Sequence, residues 1–193
     1  AAERHACAPL VRLPSADPYF ARRCLDAGAQ GILVPVVEDA NDFADFASHC
    51  LYPPDGQRGV ALGRFNRWGD EFDRNFTAFR PLIVPMIETA RGIAAADALA
   101  AMAPVDALFF GPYDLSADLG VAGQLDHPSV VDALTSLKES CARYGKTAGG
   151  HQVAPDPEAL ASLIADGFRL IAYSTDVIAM RHTLAGGLQR VTG

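Results

Sequence analysis

From one end of this 193-residue chain to the other, short apolar runs rich in Val, Ile, Leu and Phe alternate with longer segments of helical spacing. Continuous apolar runs suit strands covered on both faces, and a helix after each one returns the chain for another parallel strand. The pattern therefore calls for βα units and a parallel sheet. Strands are expected at 8–13, 31–37, 81–87, 105–110, 147–153 and 169–173. The first helix starts near the capping candidates Ser15 and Asp17, with Pro18 early, and ends at Gly28. The second starts near Asp39 and carries Phe43, Phe46 and Ala47. Later helices are expected at 90–102, from His127 and Pro128 to Tyr144 and Gly145, at 156–166, and through Ile178, Leu184 and Leu188. A long polar stretch at 52–69, YPPDGQRGVALGRFNRWG, reads as a loop, and loops of that length usually serve function. It leads into a short helical stretch at 70–76, and GPYDLSADLG at 111–120 reads as a turn. No linker interrupts the series, so residues 1–193 are expected to form one domain.

Such a sheet is either open and doubly wound or closed as a barrel. The glycine fingerprint of dinucleotide-binding sheets follows none of the strands. A (β/α)8 barrel takes about 250 residues, roughly 31 per unit, so six units fall two short. The expectation is an α/β fold, a (β/α)8 TIM barrel without its first two βα units, closed by an upstream segment or by the assembly.

Composition narrows the partners. A formal charge of -7, from 23 Asp and Glu against 16 Lys and Arg, repels phosphate backbones and anionic lipid, so no nucleic acid and no membrane is expected. The apolar runs are far shorter than the roughly 20 residues of a membrane helix. AAERHACAPL shows no basic leader followed by an apolar stretch, which makes a cytoplasmic location the default. Cys7, Cys24, Cys50 and Cys141 lack the paired spacing of zinc or redox sites and read as reduced packing residues.

In parallel barrels the working side chains sit at or just past the C-terminal ends of strands. Those positions hold Arg12, Glu38, Glu88, Asp114, His151 and Asp176. Glu88 closes the third strand and Asp114 lies just past the fourth. Adjacent strands are about 4.8 Å apart, so the two carboxylates can converge on one cation. An oxygen-only pair suits Mg²⁺ or Mn²⁺, which keep waters and leave positions for a substrate. Against this, Glu88 can be a solvated rim charge and Asp114 a helix cap. Arg12 can clamp a carboxylate with two parallel hydrogen bonds or form a structural ion pair. His151 stands near the barrel mouth, and Trp68 in the long loop is a candidate lid or a packing residue. Lysine occurs only at 138 and 146. Lys146 precedes the fifth strand, on the wrong face for barrel chemistry, so a Schiff-base mechanism has no candidate in this sequence.

In order, VRLP with Arg12, LDAGAQGILVP with Asp26, YPPDGQRG with Arg58, IET with Glu88 and GPYDLSADLG with Asp114 resemble the HpcH/HpaI aldolase family, the class II, metal-dependent pyruvate aldolases. The resemblance covers nearly the whole chain. It implies a barrel assembled as a homohexamer, with the C-terminal helix exchanged between paired subunits. It also implies a lyase that reversibly cleaves a 4-hydroxy-2-oxo acid to pyruvate and an aldehyde through a metal-stabilised enolate. By resemblance Glu88 and Asp114 hold Mg²⁺ or Mn²⁺, with Co²⁺ another option, and Arg12 binds the pyruvate carboxylate. Gly111, Pro112 and Tyr113 form the turn whose N–H groups hold that carboxylate. Asp26 matches an interface aspartate that the family associates with its catalytic histidine.

Two departures stand out. The family's histidine, in an E-H motif after the second strand, falls before Ala1. Met86 occupies a position that is usually glutamine in related aldolases. Three alternatives remain at this point: an acyl-CoA lyase using Arg64 and Arg67 for the CoA phosphates, a phosphosugar barrel using Gly149 and Gly150, and an inactive homologue.

Overall fold

The computed structural model describes residues 2–192, and the side chains of residues 2–188. Strands β1 (Leu10–Arg12), β2 (Gly31–Val34), β3 (Leu82–Ile87), β4 (Ala107–Phe110), β5 (Thr147–Gln152) and β6 (Leu170–Tyr173) pair in chain order, all parallel. A doubly wound sheet would reverse its order part-way. This one never does, so every crossover lies on the same face and the sheet curls as a half-barrel.

The connecting helices are α1 (Pro18–Asp26), α2 (Ala40–Ser48), α3 (Phe72–Ala78), α4 (Ala90–Ala101), α5 (Pro112–Asp118), α6 (Pro128–Arg143), α7 (Pro157–Ala165) and α8 (Asp176–Thr192). Their starts follow local chemistry. Asp17 accepts from the N–H groups of Tyr19 and Phe20, Asp39 from Asn41 and Asp42, and Asp156 from Glu158 and Ala159. Each such cap stabilises its helix by about 1 kcal/mol.

Strand alternation separates two cores. Ile32, Val34, Ile83, Ile87, Leu108 and Phe110 pack outward against helix residues such as Leu25, Phe43, Leu99 and Leu137. Val84, Ala107 and Phe109 form a smaller cluster on the concave face with Leu33, Met86 and Leu170. That inner face is the one a barrel would enclose.

Three segments differ from expectation. The second strand stops at Val34 rather than Val37, because Val36 adopts φ +51 and turns the chain out of extended geometry. The 52–69 stretch is partly ordered: Arg64–Gly69 is a short 3₁₀ turn in which Arg67 and Trp68 are left-handed. Residues 112–118 of the presumed turn form α5, since Pro112 suits a first helical position and Asp114 suits the first turn.

Candidate active site

Glu88 immediately follows β3 and is only 4% exposed. Its Oε1 accepts the N–H of Val36 at 2.7 Å. On its other side lies Gly111, the first residue past β4, whose N–H bonds to the Ile87 carbonyl at 3.0 Å. A Cβ at Gly111 would fall 2.7 Å from Glu88 Cβ and 2.8 Å from Oε2. The carboxylate thus occupies the space that glycine leaves open. Gly111 is also the N-cap of α5, and Asp114 projects from that helix's first turn, exposed and without capping duty. Glu88 thus sits against Gly111 just past β3, and Asp114 follows three residues after that glycine, in the helix after β4. Asp118, at the far end of α5, accepts from the N–H of Ala90 at 2.8 Å and ties α5 to the start of α4, two residues beyond Glu88.

This donor set suits a hard divalent cation. Glu88 is buried, yet among the described residues no cationic side chain pairs with it, and a buried carboxylate normally requires a counter-charge. Among the described residues no cluster of three or more His, Cys, Asp or Glu side chains is poised for a metal. Two carboxylates leave room for water and substrate, as Mg²⁺ and Mn²⁺ sites do.

Arg12 ends β1 on the concave face, exposed, with no polar partner among the described residues. Register aligns it with Leu33 and through it with Val84, so its long side chain must extend along the sheet to reach the level of Glu88. The Tyr113 N–H projects from the start of α5, where Gly111 makes no side-chain cap bond and Pro112 has no N–H.

Other candidates stand elsewhere. Glu38 pairs with Arg91 at 3.0 Å, and Asp176 opens α8 and accepts from Val177 N–H. Asp26 is the last residue of α1, at the N-terminal end of the strands, opposite Glu88. There it bonds Nη2 of Arg58 at 2.8 Å. Within one chain the structure seats Glu88 against Gly111, places Asp114 in the first turn of the helix that Gly111 opens, and leaves Asp26 apart. Arg58 is 2% exposed, with Tyr52, Phe65 and Phe79 around its guanidinium and its Nε and Nη1 unpartnered.

Trp68 also belongs to that opposite end. It lines a cleft of about 960 Å³ with Gly28, Gln30, Arg64, Arg67 and Arg74, so it is no lid over its own chain's strand ends. Arg64 pairs with Glu3, and Arg67 with Glu71, so both cations suggested for a CoA phosphate already have a carboxylate partner, at the end of the fold away from Glu88. Gly149 and Gly150 lie inside β5, not in a phosphate-holding turn. A Cβ would meet Phe109 from the former at 2.8 Å and Phe168 from the latter at 2.9 Å, so both are glycine for packing. Lys146 holds the carbonyls of Met102 and Val105 below the strands, as its position implied.

Residues 1–183 match the HpcH/HpaI aldolase/citrate lyase family. The chain belongs to this family. As an HpcH/HpaI member it is 35% identical over 191 residues to a hydroxypyruvate/pyruvate aldolase of Chromohalobacter salexigens, covering 97% of this chain and 74% of the relative. A 5-keto-4-deoxy-D-glucarate aldolase of Shigella dysenteriae is 34% identical over 182 residues, covering 91% and 66%. The crystal structure of an HpcH/HpaI aldolase/citrate lyase family protein from Burkholderia cenocepacia superposes with a TM-score of 0.89 at 32% identity, covering 97% of this chain and 74% of that one. Relatives so named are carbon-carbon lyases, and this HpcH/HpaI chain is an enzyme of that class.

Gly111 was a candidate for its backbone turn and not for the space it leaves to Glu88, and Val36 and Asp118 shape the site without having been singled out. A valine N–H reaching Glu88 from another strand leaves no trace in local sequence.

Proposed function

We propose that this enzyme is a divalent-metal-dependent aldolase that reversibly cleaves a 4-hydroxy-2-oxo acid to pyruvate and an aldehyde. The buried, unpaired carboxylate of Glu88 seated against Gly111, with Asp114 on the same glycine's helix, is the observation that carries this reading. Glu88 and Asp114 hold Mg²⁺ or Mn²⁺, with Co²⁺ an acceptable substitute. When bound there, the cation supplies Lewis-acid stabilisation of the negative charge that develops on a keto oxygen as the adjacent carbon loses a proton. Val36 N–H fixes one Glu88 oxygen and leaves Oε2 toward the site. Arg12 binds the oxo-acid carboxylate, and the Tyr113 N–H shares it across the Gly111–Pro112 turn. By resemblance, a histidine upstream of Ala1 takes the proton of the C4 hydroxyl. Asp26 lies on the far side of the sheet, so any chemistry it performs is delivered to a neighbouring subunit.

The assembly completes this picture. Among the described residues strands β1 and β6 each have one neighbour, and the cited relatives are longer than this chain. Two further βα units close the sheet into a (β/α)8 barrel. Val177, Met180 and Leu184 leave one side of α8 apolar and exposed, and this face suits helix exchange within a homohexamer. No described helix is long and apolar enough to cross a membrane, and the cysteines are free thiols, which suits the cytoplasm.

Deuterium exchange into the methyl group of pyruvate tests the reading. Full-length protein with Mn²⁺ should exchange, and EDTA or Glu88→Gln should abolish exchange. Exchange that resists EDTA, or that is missing from the parent protein, would overturn it. Exchange into an acyl thioester instead would favour the acyl-CoA lyase alternative.

A further inference from the structure

The concave face carries one more polar side chain near Glu88, and the catalytic assignment leaves it unused. On β5, the Cβ that Gly150 lacks would point to Phe168 in the helix-side core, and that of Gly149 to Phe109 in the inner cluster. Alternation therefore turns His151 inward. Register pairs Ile87 with Phe110 and Phe109 with Gly149; extended one step past the first pair and two past the second, it sets Glu88, Gly111 and His151 side by side at the ends of three adjacent strands. Gly111 has no side chain, so the row reads carboxylate, gap, imidazole. At about 4.8 Å per strand the two backbones are roughly 10 Å apart, room for a small polar ligand between the side chains. Beyond His151 the register partner on β6 is Ala172, which adds no bulk. His151 is exposed and has no polar partner among the described residues.

We propose that His151 is a specificity-determining residue that hydrogen-bonds a hydroxyl on the aldehyde component, making hydroxyaldehydes the preferred acceptors over alkyl aldehydes. The inference rests on the aldolase reading above. An imidazole both donates to and accepts from a hydroxyl, which neither Gly111 nor Ala172 can do. A site that hydrogen-bonds a substrate hydroxyl discriminates against the analogue lacking it.

Addition of pyruvate to glycolaldehyde and to acetaldehyde, catalysed by the full-length Mn²⁺-loaded protein, provides the test. The parent should favour glycolaldehyde in kcat/KM. His151→Leu should lower the glycolaldehyde-to-acetaldehyde ratio by about tenfold, mainly through the KM for glycolaldehyde, and His151→Gln should restore part of it. An unchanged ratio in His151→Leu, or an equal loss with both aldehydes, would overturn the proposal. Methyl exchange of pyruvate without aldehyde separates the two levels. Exchange with an unaltered ratio defeats only the role of His151, and a parent protein that performs no exchange defeats the aldolase reading and this inference with it.

Discussion

The backbone N–H of Val36 donates to Oε1 of Glu88 across 2.7 Å, from the loop after one strand to the end of the next. Val36 makes this bond in a left-handed conformation, φ +51, which is costly for a β-branched residue. The same turn aims its N–H at the carboxylate.

Val36→Gly separates strain from function. Glycine adopts positive φ without steric cost and keeps the N–H. Val36 is exposed, so little packing is lost. Thermal unfolding should show stability unchanged or raised by up to about 1 kcal/mol, with activity retained. A loss above about 2 kcal/mol would show that the side chain, rather than the turn, is what matters.

Gly111→Ala places a methyl group 2.7 Å from Glu88 Cβ and 2.8 Å from Oε2. Either the carboxylate moves or the strands part. The expected cost is about 1–3 kcal/mol of stability, with a larger loss of activity than the destabilisation explains. Urea unfolding alongside steady-state kinetics checks this, and an active, fully stable variant would refute the packing described for the site.

Arg58 offers a test of the opposite end. Its guanidinium is buried among aromatic rings with two nitrogens unpartnered, and its one ion-pair partner, Asp26, is partly exposed. Arg58→Ala removes the stem and leaves a cavity, at a cost of about 3 kcal/mol. Arg58→Met fills much of that space without burying unsatisfied donors and should cost clearly less. Equal losses in the two variants, read from denaturant midpoints, would mean that the charge, not the packing, dominates.

The thiols predict a pH effect. Burial pushes Cys50 up to about 12, against a smaller opposing pull from Arg58, and burial also raises Cys141. A raised thiol pKa means the folded chain keeps a proton that the unfolded chain releases. Stability should therefore decline as pH rises from the ordinary thiol range toward 12. Near pH 8 a thiol reagent should label exposed Cys7 quickly and leave Cys50 and Cys141 unmodified until denaturant is added.

Much of this architecture was legible because it rests on short-range rules. Asp17, Asp39 and Asp156 cap helices where expected, and the apolar runs gave all six strands, with ends trimmed by a few residues. Segment 111–120 misled because its Gly, Pro and Asp also suit a helix start, and the contact of Asp118 with Ala90 supports the helix from a distance. Glu88 and Asp114 were visible as strand-end acids. Their common glycine and the Val36 donor come from pairing between strands, which one sequence does not display. Trp68 was misplaced because a loop's path over the surface is set by contacts such as Arg64 with the Ala27 carbonyl.

The most direct measurement is a Mn²⁺ titration of the full-length protein, followed by the electron paramagnetic resonance signal of the free ion. Roughly one tightly bound ion per chain is expected. Glu88→Gln and Asp114→Asn should each weaken binding by more than about a hundredfold while the thermal transition stays cooperative. Undiminished Mn²⁺ affinity in both variants would contradict the shared site.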